Sequence, residues 1–187
     1  MRPSLLFVSP HIIEAVNWAP TPTNSEAGDR EGVAPSVHRG GRILGLDVGT
    51  RRIGLAVSDG LGITAQGLPT LQRTRLDDDL EKIREVAEEY STERVLVGNP
   101  LGHGGGETAM SRQAAEFAEK LRRRVTCPVL LWDERLTSVE ANRALRDSGL
   151  TLGKRRRAVD RVAATLLLQS YLDFLANERS RNTGAAP

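Results

Sequence analysis

The chain has 187 residues, a formal net charge of +2 and 39% hydrophobic residues, which together predict a soluble globular domain with a substantial core. No apolar stretch approaches the roughly 20 residues of a membrane span, and the single cysteine, Cys127, excludes a disulfide framework and a thiolate zinc site. We therefore expect a cytoplasmic protein without a membrane partner, in which Cys127 is a small buried hydrophobe rather than a nucleophile.

Residues 1–40 differ in composition from the rest of the chain. After a short apolar start they are rich in proline, glycine, serine and threonine, and such a segment buries too little apolar surface to offset the entropy of ordering. A signal peptide is not expected, because the apolar stretch is short and Ser9, Pro10 and His11 interrupt it. We predict a disordered extension over residues 1–40, one domain over residues 41–176 and a flexible tail over residues 177–187.

The domain is predicted to begin with three antiparallel strands. Residues 42–47 and 53–58 are apolar runs joined by a link too short for a parallel crossover. Pro69 places the third strand, residues 63–71, at an edge. Hydrophobic spacing then predicts a helix over 77–90, a strand over 94–98, a helix over 107–123, a strand over 125–132, a helix from Thr137 or Ser138 to Leu145, and a helix over 159–175.

This order of elements predicts an α/β fold, a mixed five-stranded sheet with three antiparallel strands followed by two parallel strands and helices on both faces. Right-handed crossovers leave the later strands parallel to the first. The acids that follow the first and last strands, Asp47 and Glu134, are then expected at the same end of the sheet.

Three acidic residues lie at the edges of these elements. Asp47 ends the first strand, Glu134 follows the last strand, and Asp160 lies in the first turn of the last helix, where the helix dipole favours negative charge. Converging carboxylates repel one another unless a cation lies between them, and oxygen ligands suit Mg²⁺ or Mn²⁺. Each acid alone has an ordinary alternative: a turn aspartate, a solvated loop acid, or an acid that complements the helix dipole.

The pair Asp133 and Glu134 leaves an ambiguity. Neighbouring side chains on a strand point to opposite faces, so only one of the two can easily face a site at the end of the sheet. Arg135 can hold the other acid in an ion pair.

Basic residues cluster beside two of these acids. One cluster, Lys154–Arg157, forms a predicted loop before the last helix, and the other, Arg51 and Arg52, belongs to a predicted turn after the first strand. Both groups suit the phosphate backbone of a nucleic acid. A solvated loop and a plain turn are the alternatives. A third basic cluster closes the second predicted helix and consists of Arg122, Arg123 and Arg124.

The loop over residues 98–106 is rich in glycine but lacks the lysine and the Ser/Thr of a P-loop. It leads to a predicted helix N-terminus, where it can cradle phosphate or serve only as a mobile connection. We interpret His103, the only histidine of the domain, as an exposed residue without a role. Substrate contact or proton transfer by His103 is the alternative.

Four blocks of sequence together resemble the YqgF/RuvX family, whose members are described as nucleases of precursor 16S ribosomal RNA and as Holliday-junction-resolvase-like. The blocks are Gly-Leu-Asp-Val-Gly-Thr-Arg-Arg-Ile-Gly-Leu-Ala-Val-Ser-Asp at 45–59, Val-Gly-Asn-Pro-Leu at 97–101, Trp-Asp-Glu-Arg-Leu-Thr-Ser at 132–138 and Val-Asp-Arg-Val-Ala-Ala at 159–164. The resemblance implies an RNase H-like fold and an Asp-Glu-Asp site at Asp47, Glu134 and Asp160. Asn99 departs from the family's usual Gly-Leu-Pro-Leu.

The leading hypothesis is a metal-dependent endonuclease. The three acids would hold two Mg²⁺ or Mn²⁺ ions about 4 Å apart, one to activate water and one to stabilise the leaving 3′ oxygen. The resemblance suggests the 5′ end of precursor 16S ribosomal RNA as substrate, with branched DNA as the second candidate. We expect a monomer or, on a two-fold symmetric branched substrate, a homodimer. The residues expected to bind nucleic acid are Thr50, Arg51, Arg52, Lys154, Arg155, Arg156, Arg157 and Arg161.

Two other functional classes remain open. An actin-like kinase or ATPase has a phosphate loop that also begins Asp-x-Gly-Thr, but such proteins need two subdomains of this kind and the chain has one such block. A non-catalytic nucleic-acid-binding factor in ribosome assembly or transcription would have no need of the three acids.

Overall fold

The computed structural model describes residues 12–13, 41–102, 104–134 and 152–183, and for residues 12–13, 152–160 and 182–183 it describes the backbone only. The strands are β1 (Ile12–Ile13), β2 (Arg42–Val48), β3 (Arg52–Ser58), β4 (Ala65–Gly67), β5 (Leu71–Gln72), β6 (Thr92–Asn99) and β7 (Val129–Asp133). The helices are α1 (Leu76–Glu89), α2 (Ala109–Arg122) and α3 (Leu152–Thr183). His103 and the helix predicted to end at Leu145 lie outside the described residues.

The strands form one mixed sheet in the order β1-β7-β6-β2-β3-β4, with β5 also pairing with β3. β2 and β3 are antiparallel, and Leu44 lies opposite Val57. β6 is parallel to β2, and β7 is parallel to β6. These pairings confirm the predicted mixed sheet, because the crossovers through α1 and α2 return the chain in the direction of β2.

Both edges of the sheet differ from the prediction. The third predicted strand is split into β4 and β5, because Pro69 cannot donate a ladder hydrogen bond, and both pieces pair with β3. At the opposite edge β1 pairs antiparallel with β7, with Ile12 opposite Trp132. Within the described residues the sheet therefore has seven strands. Two residues of the segment predicted to be disordered belong to it, and the rest of residues 1–40 lies outside the described part of the chain.

The two faces of the sheet carry separate hydrophobic cores. Alternation along β2 sends Leu44 and Leu46 into the core beneath α1 and α2, and sends Ile43 into the core beneath α3. In the second core Trp132 is 1% exposed, and its ring packs edge-on against Tyr171 with ring centroids 5.0 Å apart. Helices therefore cover both faces, as predicted.

α3 begins earlier and ends later than predicted. It starts at Leu152 rather than at residue 159, so the basic run at residues 154–157 is helical and not a loop. Lysine and arginine favour helices, and Gly153 alone does not stop one. Asp160 is consequently the ninth residue of α3, outside the first turn, and the predicted dipole effect at its carboxylate does not apply. The helix continues to Thr183, so most of the predicted flexible tail is helical.

α3 lies close against the sheet because small residues stand side by side beneath it. Gly45 of β2 is opposite Ala56 of β3, which is opposite Gly67 of β4. A Cβ atom at Gly45 would lie 3.0 Å from Cβ of Leu168, so a side chain at this position would push against the helix. None of the helices in the described part of the chain combines the length and the apolarity that crossing a bilayer requires.

Candidate active site

Asp47 and Glu134 lie on the α3 side of the sheet. Gly45 of β2 and Trp132 of β7 both pack against α3. Asp47 and Glu134 each follow one of them by two residues, and because side chains alternate along a strand, both acids point to the α3 side. Both acids stand at the carboxyl ends of their strands, as the sequence predicted. β6 lies between the two strands and separates them.

Gly98 of β6 provides the space in which the Glu134 carboxylate lies. A Cβ atom at this position would clash with Oε1 of Glu134 and would lie 3.3 Å from its Cδ atom and 3.2 Å from Cδ1 of Leu167. The glutamate side chain therefore crosses the backbone of β6 in the direction of β2. Gly98 was not among the predicted site residues, although a glycine inside a strand often marks a close approach of this kind.

The electrostatics of this pair of acids are unfavourable without a cation. Burial raises the pKa of Glu134 to about 7, and the carboxylates of Asp47 and Asp133 contribute to the rise. A divalent cation among these oxygens would remove the repulsion and lower that pKa. The donor set, oxygen ligands alone, suits Mg²⁺ or Mn²⁺, so the residues present fit the predicted metal.

Asp133 occupies a different environment from Glu134. It lies beside Asn99 in the β6–β7 register, is 3% exposed, and falls by alternation on the side of α1 and α2. The structure therefore favours Glu134 over Asp133 as the site residue. Arg135, the predicted partner of the second acid, lies outside the described residues.

The backbone of α3 brings the turn at residues 160–164 to the level of Asp47. α3 runs antiparallel to β2, since its C-terminal part lies over the beginning of that strand and Ala164 lies against Gly45. Two strand residues advance the chain by roughly 6.6 Å, which is the rise of about four helix residues. Ala164 and Leu168 both lie against Gly45, so the same step along α3 leads to positions 160–164.

Of the three predicted acids, Asp47 and Glu134 have described side chains, and these lie on the same face of the sheet. Among all the described side chains no group of three His, Cys, Asp or Glu residues is placed to hold a metal ion. The side chain of Asp160, the third predicted ligand, lies outside the description, and only its place on the helix is defined.

The turn between β2 and β3 lies directly beyond Asp47. The backbone N–H of Gly49 donates to the carbonyl of Arg52 at 2.9 Å, and a Cβ atom at Gly49 would lie 2.9 Å from that same oxygen. Thr50 and Arg51 are exposed at the tip of the turn, whereas Arg52 is half-buried as the first residue of β3. The turn therefore presents two of its three predicted phosphate contacts to solvent.

The remaining basic residues divide between the site and the scaffold. Arg161 is exposed, and its stem lies over Gly67 at the β4 edge. The predicted cluster at the end of α2 serves the fold, because Arg122 donates to the Val129 carbonyl at 3.1 and 3.0 Å and Arg124 pairs with Asp77 at 2.6 Å. The side chains of Lys154, Arg155, Arg156 and Arg157 lie outside the description.

Cys127 is half-buried, and burial raises the pKa of its thiol. A thiol that resists ionisation at neutral pH is a poor nucleophile. The geometry therefore agrees with its interpretation as a small hydrophobe, and it packs against the core beneath α1 and α2.

Comparison with known proteins gives consistent matches over the domain. Residues 41–174 match the family model described as "RuvX: Holliday junction resolvase". A protein of Koribacter versatilis is 53% identical over 133 residues, covering 71% of this chain and 87% of that protein, and one of Clostridium novyi is 43% identical over 134 residues, covering 72% and 99%. Both are named "Putative pre-16S rRNA nuclease".

A solved structure of Thermus thermophilus RuvC in complex with a Holliday junction substrate was also matched. It has 16% sequence identity and a TM-score of 0.48, and the match covers 71% of this chain and 95% of that chain.

Proposed function

The chain belongs to the RuvX family, and from that membership we propose that it is a metal-dependent endonuclease that hydrolyses phosphodiester bonds in structured nucleic acid. The observation that carries this proposal is that Asp47 and Glu134 lie on one face of the sheet, where the Asp47 carboxylate contributes to the raised pKa of Glu134. An arrangement of this kind is costly unless a cation compensates it.

Asp160 is the third acid of the proposed site. Its place on α3, one turn before Ala164, supports this role, because Ala164 and Leu168 lie over Gly45 and α3 then runs toward the strand end that carries Asp47. The three acids would then approach a common point from β2, from the end of β7 and from α3. That convergence accounts for acids at three distant places in the sequence.

These three acids would hold two Mg²⁺ or Mn²⁺ ions. When bound, such ions lower the pKa of an attacking water and neutralise charge that develops on the phosphate. The protein contributes the oxygen ligands. Gly98 leaves the space that the Glu134 carboxylate occupies, and Leu167 packs beside this carboxylate and limits its contact with water. Glu134 must give up its proton for this role, because only the carboxylate binds a hard cation well.

The substrate is expected to reach the site along its basic rim. Thr50 and Arg51 are exposed on the turn beyond Asp47, and Arg161 is exposed on α3 over Gly67. All three would contact phosphates near the bond that is cut. Such contacts fix the register of a nucleic acid without reading its sequence. Arg52 and the basic run at 154–157 complete the proposed binding set.

Precursor 16S ribosomal RNA is the proposed substrate, because the relatives at 53% and 43% identity carry that substrate in their names. Branched DNA is the second candidate, since the family model is described as a Holliday junction resolvase. The two differ in symmetry, and a four-way junction would favour a homodimer.

The test compares wild type with Asp47→Asn, Glu134→Gln and Asp160→Asn on a precursor 16S RNA fragment and on a four-way DNA junction, with Mn²⁺ and with EDTA. Asp173→Asn is the matched control, because Asp173 is an exposed acid on the same helix as Asp160. We expect cleavage to need Mn²⁺, to fall to background in the three site variants and to persist in the control. Full activity of Asp47→Asn in Mn²⁺ would refute the site. Binding without cleavage of either substrate would favour a non-catalytic factor.

A further inference from the structure

Arg73 connects three elements beneath the turn that follows Asp47. Its Nη1 donates to the carbonyl oxygen of Gly49 at 3.0 Å, and its Nε contacts Oδ2 of Asp79 at 3.4 Å. Its own backbone N–H donates to the carbonyl of Arg51 at 3.1 Å. One residue thus contacts the β2–β3 turn through both its backbone and its side chain.

Asp79 anchors this connection from the first turn of α1. It is fully buried, and its Oδ1 accepts hydrogen bonds from the backbone N–H of Thr74 at 2.9 Å and from the Thr74 hydroxyl at 3.3 Å. The N-terminus of α1 also favours negative charge at this place. A buried carboxylate with these partners is held in one orientation, and it holds Arg73 in turn.

α2 supplies the third constraint on the guanidinium group. The Cζ atom of Arg73 lies 5.8 Å from the centre of the Phe117 ring, within the range of a cation–π contact. Phe117 is itself buried in the core beneath α1 and α2. The Arg73 side chain is 26% exposed, so most of it is enclosed by these contacts.

The hydrogen bonds of Arg73 are additional to those that form the hairpin. β2 and β3 are already paired through Val48 and Ile53, and the turn is closed by the hydrogen bond from Gly49 to Arg52. The side chain of Arg73 adds a bond from outside the hairpin to the carbonyl of Gly49. That bond fixes the tilt of the turn relative to α1 and does not set strand register.

We propose that Arg73 and Asp79 are positioning residues of the nuclease, which hold the β2–β3 turn so that Asp47 and Arg51 keep the geometry needed for metal and phosphate. The inference rests on the proposed function for its catalytic readout. Asp47 is two residues before Gly49, and a displacement of about 1 Å at a reacting group can reduce a rate about a hundredfold. Arg73 and Asp79 lie on the side of the sheet that α1 and α2 cover, whereas Asp47 lies on the α3 side.

The test uses Arg73→Met, Arg73→Lys and Asp79→Asn, with Arg124→Met as the matched control. Arg124 also pairs with the first turn of α1, through Asp77, but it does not reach the β2–β3 turn. For each protein we would measure the Mn²⁺ concentration for half-maximal cleavage, kcat and KM, the calorimetric affinity for Mn²⁺, the thermal midpoint, and hydrogen exchange in the peptide of residues 47–52.

For Arg73→Met we expect at least about a tenfold rise in the Mn²⁺ requirement, a lower kcat and faster exchange in residues 47–52 than in Arg124→Met, at a similar thermal midpoint. Arg73→Lys should recover part of the loss, because one ammonium can still donate to the Gly49 carbonyl. An Arg73→Met protein whose Mn²⁺ requirement and exchange equal those of Arg124→Met would overturn the inference. If Arg73→Met does not fold, Arg73→Lys and Asp79→Asn decide by the same comparison.

The two proposals fail in different ways. A wild-type protein that neither cleaves nucleic acid nor binds Mn²⁺ refutes the proposed function, and the exchange rates of residues 47–52 then decide alone whether Arg73 holds the turn. A wild-type protein that cleaves in Mn²⁺, beside an Arg73→Met variant that matches the control in every measurement, refutes only the positioning role.

Discussion

Gly98 is the residue on which the geometry of the two observed acids depends most directly. Gly98→Ala places a Cβ atom against Oε1 of Glu134 and 3.2 Å from Leu167, so the carboxylate or the helix must shift. We expect cleavage to fall at least about a hundredfold, with a stability loss of about 1–3 kcal/mol from overpacking. Steady-state kinetics and urea unfolding would measure both.

Gly60→Ala is the control for this variant, because nothing lies within 4 Å of a Cβ atom at that position. It should leave both quantities unchanged. If Gly98→Ala cleaves as fast as Gly60→Ala, the Glu134 carboxylate is not needed in its observed place.

Glu134 also makes the stability of the metal-free protein dependent on pH. Its pKa rises from 4.5 to about 7 on folding, chiefly through burial and then through Asp47 and Asp133. The folded protein therefore holds this proton more tightly than the unfolded chain. The resulting stability is fully present below pH 4.5 and is lost as the pH rises through 7.

We expect the metal-free protein to be less stable at about pH 8 than at about pH 5 because of this group, by at most about 3 kcal/mol and by less where solvent screens it. Glu134→Gln should remove that difference, and Mn²⁺ should restore stability to wild type at the higher pH. Urea unfolding at the two pH values, with EDTA and with Mn²⁺, measures each effect. If the stability of the wild-type protein depends on pH no more strongly than that of Glu134→Gln, the raised pKa of Glu134 is contradicted.

At the level of helices and strands, the sequence predicted the sheet better than the last helix. Continuous apolar runs predict β2, β3, β6 and β7, and the short link makes β2 and β3 antiparallel. The carboxyl ends of parallel strands must share an edge. The start of α3 is less well encoded, because Gly153 and four consecutive basic residues resemble a loop by composition but satisfy helix propensity. A glycine within a strand indicates a close approach at Gly98, but which side chain approaches depends on a contact with the residue after β7 that the sequence does not specify.

Because the basic run at residues 154–157 is helical, we expect only some of its residues to lie near the proposed site. Four consecutive helix positions are spread around the whole helix, and only positions 156 and 157 lie one turn before position 160 on the same face. We expect the double variant Arg156→Gln/Arg157→Gln to weaken nucleic-acid binding more than Lys154→Gln/Arg155→Gln, although each removes two charges.

Binding measured across a salt series would separate the two variants. The slope of log K against log salt should fall by about 0.7–0.9 for each phosphate that the variant no longer neutralises, so by up to about 1.8 in the first variant and by little in the second. Equal slopes in the two variants would indicate that the run binds as an extended segment rather than as a helix.

For the whole molecule, the main question is what the segment before the family-matched domain contributes. The family model covers residues 41–174, and both cores and the two observed acids lie within that range, as does every strand of the sheet except β1. Of residues 1–40, the structure describes β1, which pairs with β7 close to the end that Glu134 follows. The fold and the chemistry should therefore be separable from residues 1–40.

We expect a chain of residues 41–187 to fold, and to cleave within about twofold of the full-length rate. Loss of the two β1 pairs should cost about 1 kcal/mol, which lowers the thermal midpoint by about 2–4 °C. The uncovered β7 edge should also increase self-association, because an open edge strand offers unpaired backbone groups to other chains.

Calorimetry, kinetics and light scattering test these three expectations, with Ile12→Pro in the full chain as the control that blocks pairing without shortening the protein. If the truncated chain loses activity while Ile12→Pro retains it, residues 1–40 serve the reaction by a route other than β1. If both variants lose activity, the β1–β7 pair itself supports the site.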